Sequence, residues 1–194
     1  MLDLEPATSV LARLVENIKD EQLDAPTPCP EMTVGALLDH VDGLSLAFAE
    51  AAAKTTPGPE GRVPSADAAG LRPDWRTGIP QRLAELAQAW RVEDAWTGMT
   101  AAGGVELPGD VAGLVALDEV IVHGWDLAVA TGQDFGAPEP LVEATFDFVR
   151  PSAEENPEGS PGLFGPPVPV PASAPAIDRL IGLTGRDPGW RPVG

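Results

Sequence analysis

The chain has 194 residues, 43% of them hydrophobic, which suits a single domain with its own core and excludes a wholly disordered chain. A formal net charge of −18 repels phosphate backbones and anionic bilayers, so it argues against nucleic acid and membrane surfaces as partners and favours solubility. The lone Cys29 excludes an internal disulfide and a thiolate metal cluster within one chain. The acidic opening MLDLEPATSV lacks the pattern of a secretory signal, and no apolar run is long enough to span a bilayer. These features set the expectation of a soluble, cytoplasmic protein.

Alanine and leucine dominate and β-branched runs are short, so helix is the expected element. Residues 4–20 carry Val10, Leu11, Leu14, Val15 and Ile18 at helical spacing, which predicts a first helix with one apolar face. The proline-punctuated loop DAPTPCPEM follows, and Thr33 stands where an N-cap belongs, opening a second helix, VGALLDHVDGLSLAFAEAAAK. Residues 55–72 read as a long polar surface connection. A third helix is predicted over 74–92, with Leu83, Leu86 and Trp90 as its apolar stripe and Pro80 as a kink point. TAAGGVELPGD reads as a break, without strand-like alternation of useful length. Asp110 is the expected cap of a fourth helix over 111–131, with Gly132 as its terminator. A shorter helix over 138–149 comes next. From Pro151 the chain turns rich in proline and glycine, and NPEGSPGLFGPPVPVPASAP is expected as an extended strap over the body, closed by a short helix in AIDRLIGLTG. The architecture predicted is all-α: a four-helix bundle with long connections, one domain over 1–194, its core at about 4–150 and its strap and last short helix at 151–194.

The chain has two histidines, and both fall on apolar helix faces. His40 sits among Ala36, Leu37, Leu44 and Ala47; His123 lies in LDEVIVHGWDLAVATG, four residues after Glu119. Residues four apart are offset by about 40° around a helix, so Glu119 and His123 project from one face. Burying them is costly without a partner. Imidazole nitrogen and carboxylate oxygen are ordinary ligands of zinc and similar divalent ions, and bundle cores are a common place for such sites. Three ligands, His40, Glu119 and His123, leave a coordination position open, as catalytic sites do. The spacing alone is equally compatible with a helix-surface Glu–His pair and a core histidine bonded to a backbone carbonyl.

Asp126, one turn beyond His123, is placed to accept its other ring N–H, whereas Asp39 faces elsewhere. Cys29, at the entrance to the second helix, is expected as a buried packing residue. Trp125 points about 200° away from His123 and is expected to pack rather than line a site. Arg82 and Arg91 are the nearest candidates for a cation that would clamp an acidic ligand, with surface solvation as their alternative role.

Three segments, TPCPEMTVGALLDHVDG, ALDEVIVHGWDLAVATGQ and FGPPVPVPASAPAIDRLIGLTGRDPGW, occur in an order that resembles metal-binding proteins of high-GC bacteria. These are related to the N-terminal domain of mycothiol-dependent maleylpyruvate isomerase, within the DinB-like superfamily. The resemblance covers nearly the whole chain. It implies a four-helix bundle holding a divalent metal on three side chains, at positions that match His40, Glu119 and His123. Several members use mycothiol, bacillithiol or glutathione, which implies a metal that binds a thiol, lowers its pKa and presents a thiolate to a small electrophile. Zinc suits this ligand set, with nickel, iron and manganese also compatible. Two departures stand out. Glu31–Met32 occupies the place where relatives carry a tryptophan, and only a short tail follows the bundle, where the isomerase has a second domain contributing to its active site. The second departure argues against maleylpyruvate isomerisation itself.

The function expected is therefore a thiol-dependent transferase or isomerase acting on a small electrophile. The alternative is a non-catalytic module that binds or senses a ligand through its metal, since no general base is evident in the sequence. Bundles of this kind also form homodimers.

Overall fold

Leu4, Ala7, Leu11, Val15 and Ile18 recur at three- and four-residue steps, and all are buried on one side of the first helix, α1 (Glu5–Asn17). This computed structural model describes residues 1–55, 65–160 and 163–192. A 3₁₀ turn at Asp20–Gln22 and the PCP loop lead into α2 (Val34–Ala52), where the Thr33 side chain accepts the Ala36 N–H as the N-cap predicted for it. The connection that follows is described from Ser65 onward, so residues 56–64 of the predicted surface loop lie outside the described residues. α3 spans Trp75–Ala89 and runs through Pro80.

The GG break is a β-hairpin. β1 (Met99–Ala102) pairs antiparallel with β2 (Val105–Pro108), Ala102 opposite Val105. Gly103 and Gly104 both take positive φ, 57° and 82°, which a two-residue turn of this hand requires and which glycine adopts without strain. Four-residue strands are too short to show alternation, so the hairpin's signal was the Gly-Gly pair itself.

α4 (Gly109–Thr131) starts two residues earlier than predicted: Pro108, not Asp110, takes the N-cap position, and Asp110 instead accepts the neighbouring Val111 N–H. Its end is as expected, Gly132 closing it at φ 70°. α5 (Glu139–Glu155) extends well past the predicted stop, with Pro151 inside it. Pro151 and Asp147 both lie on the exposed face, so the carbonyl that loses its partner is left near water rather than buried.

α1 packs on α3 and α4, and α2 on α3 and α4, so the four helices close into a bundle. Leu11, Leu37, Leu83, Leu86, Leu117 and Ile121 are nearly or wholly inaccessible and belong to one continuous core. Burial of each such side chain contributes about 1.5–3 kcal/mol. Trp90 joins them, its indole N–H donating to the Phe48 carbonyl at 3.1 Å.

α5 and the last helix, α6 (Ala176–Leu183), pack on each other, and α5 also packs on α4. The strap that joins α5 to α6 is tied back to the helix it leads into: its Val168 N–H donates to the Gly182 carbonyl at 2.8 Å. A side chain at Gly182 would meet Val170 and the Val168 carbonyl, so this close approach of strap and helix requires glycine.

Candidate metal centre and its cavity

α4 supplies Glu119, His123 and Asp126 at steps of four and three residues, which stacks them along one side of the helix. His123 is held at both ring nitrogens: Nε2 lies 2.9 Å from Glu119 Oε2, and Nδ1 lies 3.0 Å from Asp126 Oδ2. Burial opposes the charged ring, but the hydrogen bonds to Asp126 and Glu119 outweigh it and push the His123 pKa up to about 9. Burial likewise opposes an ionised Glu119, and its hydrogen bond to His123 prevails, holding its pKa below the ordinary value.

α2 brings in the second histidine. The His40 and His123 rings meet edge to face with centroids 5.3 Å apart. His40 Nδ1 lies 3.2 Å from the Ser65 carbonyl oxygen, which can only accept, so Nδ1 carries the hydrogen and Nε2 of the neutral ring keeps its lone pair. Burial, then the nearby His123 charge, push the His40 pKa below its ordinary value, which favours that neutral form. Asp39, its neighbour, points elsewhere as predicted, accepting the Ser65 hydroxyl and the Asp67 N–H.

Ligand atoms of His40, Glu119 and His123 all lie within 4.8 Å of one another. Their donor chemistry, two imidazole nitrogens and a carboxylate oxygen, fits a divalent ion. A second group, Cys29, His123 and Asp126, is equally close together but fits poorly. Burial, then the Asp126 charge, push the Cys29 thiol up to about 11, so the thiolate a metal needs is disfavoured. Both oxygens of Asp126 are already engaged by Arg186.

Arg186 is the residue that the sequence reading missed. It is 7% exposed, and its Nε–H and Nη2–H groups donate to the fully buried Asp126, at 2.9 Å to Oδ1 and at 3.2 and 2.9 Å to Oδ2. Its Nη1 donates to the Thr184 carbonyl at 3.3 Å. Its only sequence signal was its place in TGRDPGW, just after the predicted last helix. Gly185, at φ 80°, makes the turn that delivers it; a Cβ there would stand 2.7 Å from the Gly165 backbone. The arginines named from the sequence lie elsewhere: Arg82 donates to Asp42 at 2.8 Å, and Arg91 pairs with Asp3 and Glu5 in partly exposed positions.

The cluster opens on a cavity of about 340 Å³. Val115, Asp118 and Val122 of α4 form one wall, and Phe148, Val149 and Ser152 of α5 form another. Leu163 and Phe164 of the strap line it too, with Met32, Cys29 and Arg186. Met32 stands in the place where the resemblance leads one to expect tryptophan, so that departure reaches the cavity wall. Asp118 is the other residue passed over. It is 5% exposed, and burial, then the neighbouring Glu119 charge, push its pKa up to about 8. Trp125 packs instead with Val122, Ile181 and Trp190, as its helical angle predicted.

Fold and cluster together define a DinB-like helical bundle with a His–Glu–His constellation beside an internal cavity. The chain belongs to the mycothiol maleylpyruvate isomerase N-terminal domain family, whose profile matches residues 4–128. Two uncharacterized proteins of Mycobacterium tuberculosis, from strains CDC 1551 and H37Rv, are each 30% identical to it over 183 residues, covering 93% of both chains. Among solved structures, the crystal structure of the mycothiol-dependent maleylpyruvate isomerase aligns with a TM-score of 0.58 at 21% identity. That alignment covers 78% of this chain and 68% of the isomerase. A histidine-to-alanine mutant of that enzyme aligns with a TM-score of 0.56 at 20% identity, over the same shares of each chain. Among the described residues no helix is long and apolar enough to cross a membrane.

Proposed function

We propose that His40, Glu119 and His123 hold a divalent metal, zinc in the first instance, and that the chain, acting as one domain over 1–194, is a thiol-dependent transferase or isomerase for a small electrophile. Mycothiol is the thiol suggested by the family name. The observation that carries this reading is the convergence of three ligand atoms within 4.8 Å at the edge of a cavity of about 340 Å³. When bound, a divalent ion lowers the pKa of a thiol on its open position, so that a thiolate is available at neutral pH. His40 is kept in the tautomer with a free Nε2 by the Ser65 carbonyl, and Asp126 holds the ring of His123 in place through Nδ1. Val115 and Val122 of α4, Phe148 and Val149 of α5 and Phe164 of the strap give the space where a thiol and an electrophile would meet largely apolar walls.

A non-catalytic binding or sensing module is the second reading. It is favoured by Arg186, the one arginine or lysine among the described residues that line the cavity, whose hydrogen bonds go to Asp126 and Thr184 rather than into the space. Zinc-loaded protein mixed with mycothiol and a generic electrophile such as a chlorodinitrobenzene separates the two. Conjugate formation above the buffer rate, abolished in His123→Ala, supports the enzyme. Thiol binding without turnover supports the module, and absence of stoichiometric metal ends both.

A further inference from the structure

The buried side-chain polar atoms without a hydrogen-bond partner among the described residues belong to Asp42, Arg72, Asp118 and Arg179. Asp42, Arg72 and Arg179 belong to ion pairs: Arg82 with Asp42 at 2.8 Å, Arg72 with Asp42 at 3.3 Å, Arg179 with Glu143 at 2.7 Å. Asp118 is different. Its Oδ1 is buried and unpartnered, the residue forms no ion pair among the described residues, and it sits on the cavity wall. A buried acceptor left without a donor costs stability, and a molecule in the cavity that reached the Asp118 carboxyl would relieve that cost.

The surroundings say what kind of partner. Val115 and Val122 lie about 60° and 40° from Asp118 around α4, so the carboxyl sits within an apolar stripe. Phe148 and Val149 of α5 and Phe164 of the strap add apolar walls to the same cavity. A space of about 340 Å³ is large enough for a ring-sized molecule, with a few polar groups to orient it. We propose that this cavity is a subsite for a small, largely apolar molecule bearing one N–H or O–H donor, and that Asp118 is the acceptor that orients it. The identification of that molecule with the electrophilic substrate rests on the proposed function; its recognition by Asp118 does not.

The test uses the full chain, free of metal and thiol, titrated with benzyl alcohol, benzylamine and toluene and followed by NMR and calorimetry. The alcohol and the amine should bind about two- to tenfold more tightly than toluene, the ratio expected from one added hydrogen bond. Asp118→Leu should erase that preference, leave toluene binding intact and raise the Tm, because it removes an orphaned polar group. Asp118→Asn keeps an accepting oxygen, so it should retain the preference for both donors over toluene. Equal binding of toluene and the alcohol overturns the proposal, as does a donor preference that survives Asp118→Leu, or failure of all three probes to bind. A separate zinc titration of the same preparation reports on the metal reading, so a protein that binds zinc but no probe loses the subsite alone.

Discussion

Arg186 and Asp126 are sixty residues apart in sequence, yet their side chains meet in the interior through three N–H···O contacts of 2.9 to 3.2 Å. The contact ties the end of the chain to the helix that carries Glu119 and His123. It also fixes Asp126, whose Oδ2 receives the Nδ1–H of His123. The tail is thereby part of the site's support.

Removing one partner of a buried ion pair strands the other charge. Arg186→Met is expected to cost about 3–5 kcal/mol of unfolding free energy, measured by urea denaturation of the metal-free chain. A loss below about 1 kcal/mol would show that Asp126 finds another partner.

Asp126 reaches the ligand cluster only through His123. Asp126→Asn is expected to weaken zinc binding by about 10–100-fold, read by competition with a chromophoric chelator. An unchanged affinity would remove Asp126 from the support of the site.

Metal binding to the folded chain should raise its stability. At a free zinc concentration about 100 times Kd the gain is about 2.7 kcal/mol, so zinc should raise the Tm and a chelator should reverse the shift. The variant with His40, Glu119 and His123 all changed to alanine should not respond. A response equal to that of the wild type would place the metal elsewhere.

Cys29 is held as a neutral thiol by burial and by the Asp126 charge, its pKa pushed up to about 11. At pH 8 it should resist iodoacetamide in the native chain and react at the rate of an ordinary thiol in urea, as followed by mass spectrometry. Rapid native labelling would show a thiolate and revive Cys29 as a ligand.

The turn before Arg186 needs a left-handed residue. Gly185→Ala is expected to cost about 1–2 kcal/mol from backbone strain alone, and more if the Gly165 backbone cannot move aside. Chemical denaturation measures it, and a neutral effect would show that the strap yields freely.

The long helices were legible because each repeats its apolar residues often enough for the period to show, as Val10, Leu11, Leu14 and Val15 do in α1. Local chemistry also placed Thr33 as a cap and Gly132 as a terminator. Two four-residue strands carry too little pattern to reveal the hairpin, and Pro151 reads as a stop, which hides the last turn of α5. In the folded chain that proline lies on the exposed face, where water can serve the freed carbonyl.

The pairing of Glu119 with His123, and the reach of Asp126 to the same ring, follow from helical spacing and were determined by the sequence alone. That His40 joins them depends on how α2 packs against α4, which no local period specifies. The roles of Arg186 and Asp118 depend on tertiary structure still more. One is a surface-type residue made internal by a partner sixty positions away, and the other is a carboxyl that is buried, with no partner for its Oδ1 among the described residues, only once α5 and the strap pack beside it. Spacing along one helix is short-range geometry, whereas burial and pairing are properties of the whole assembled interior.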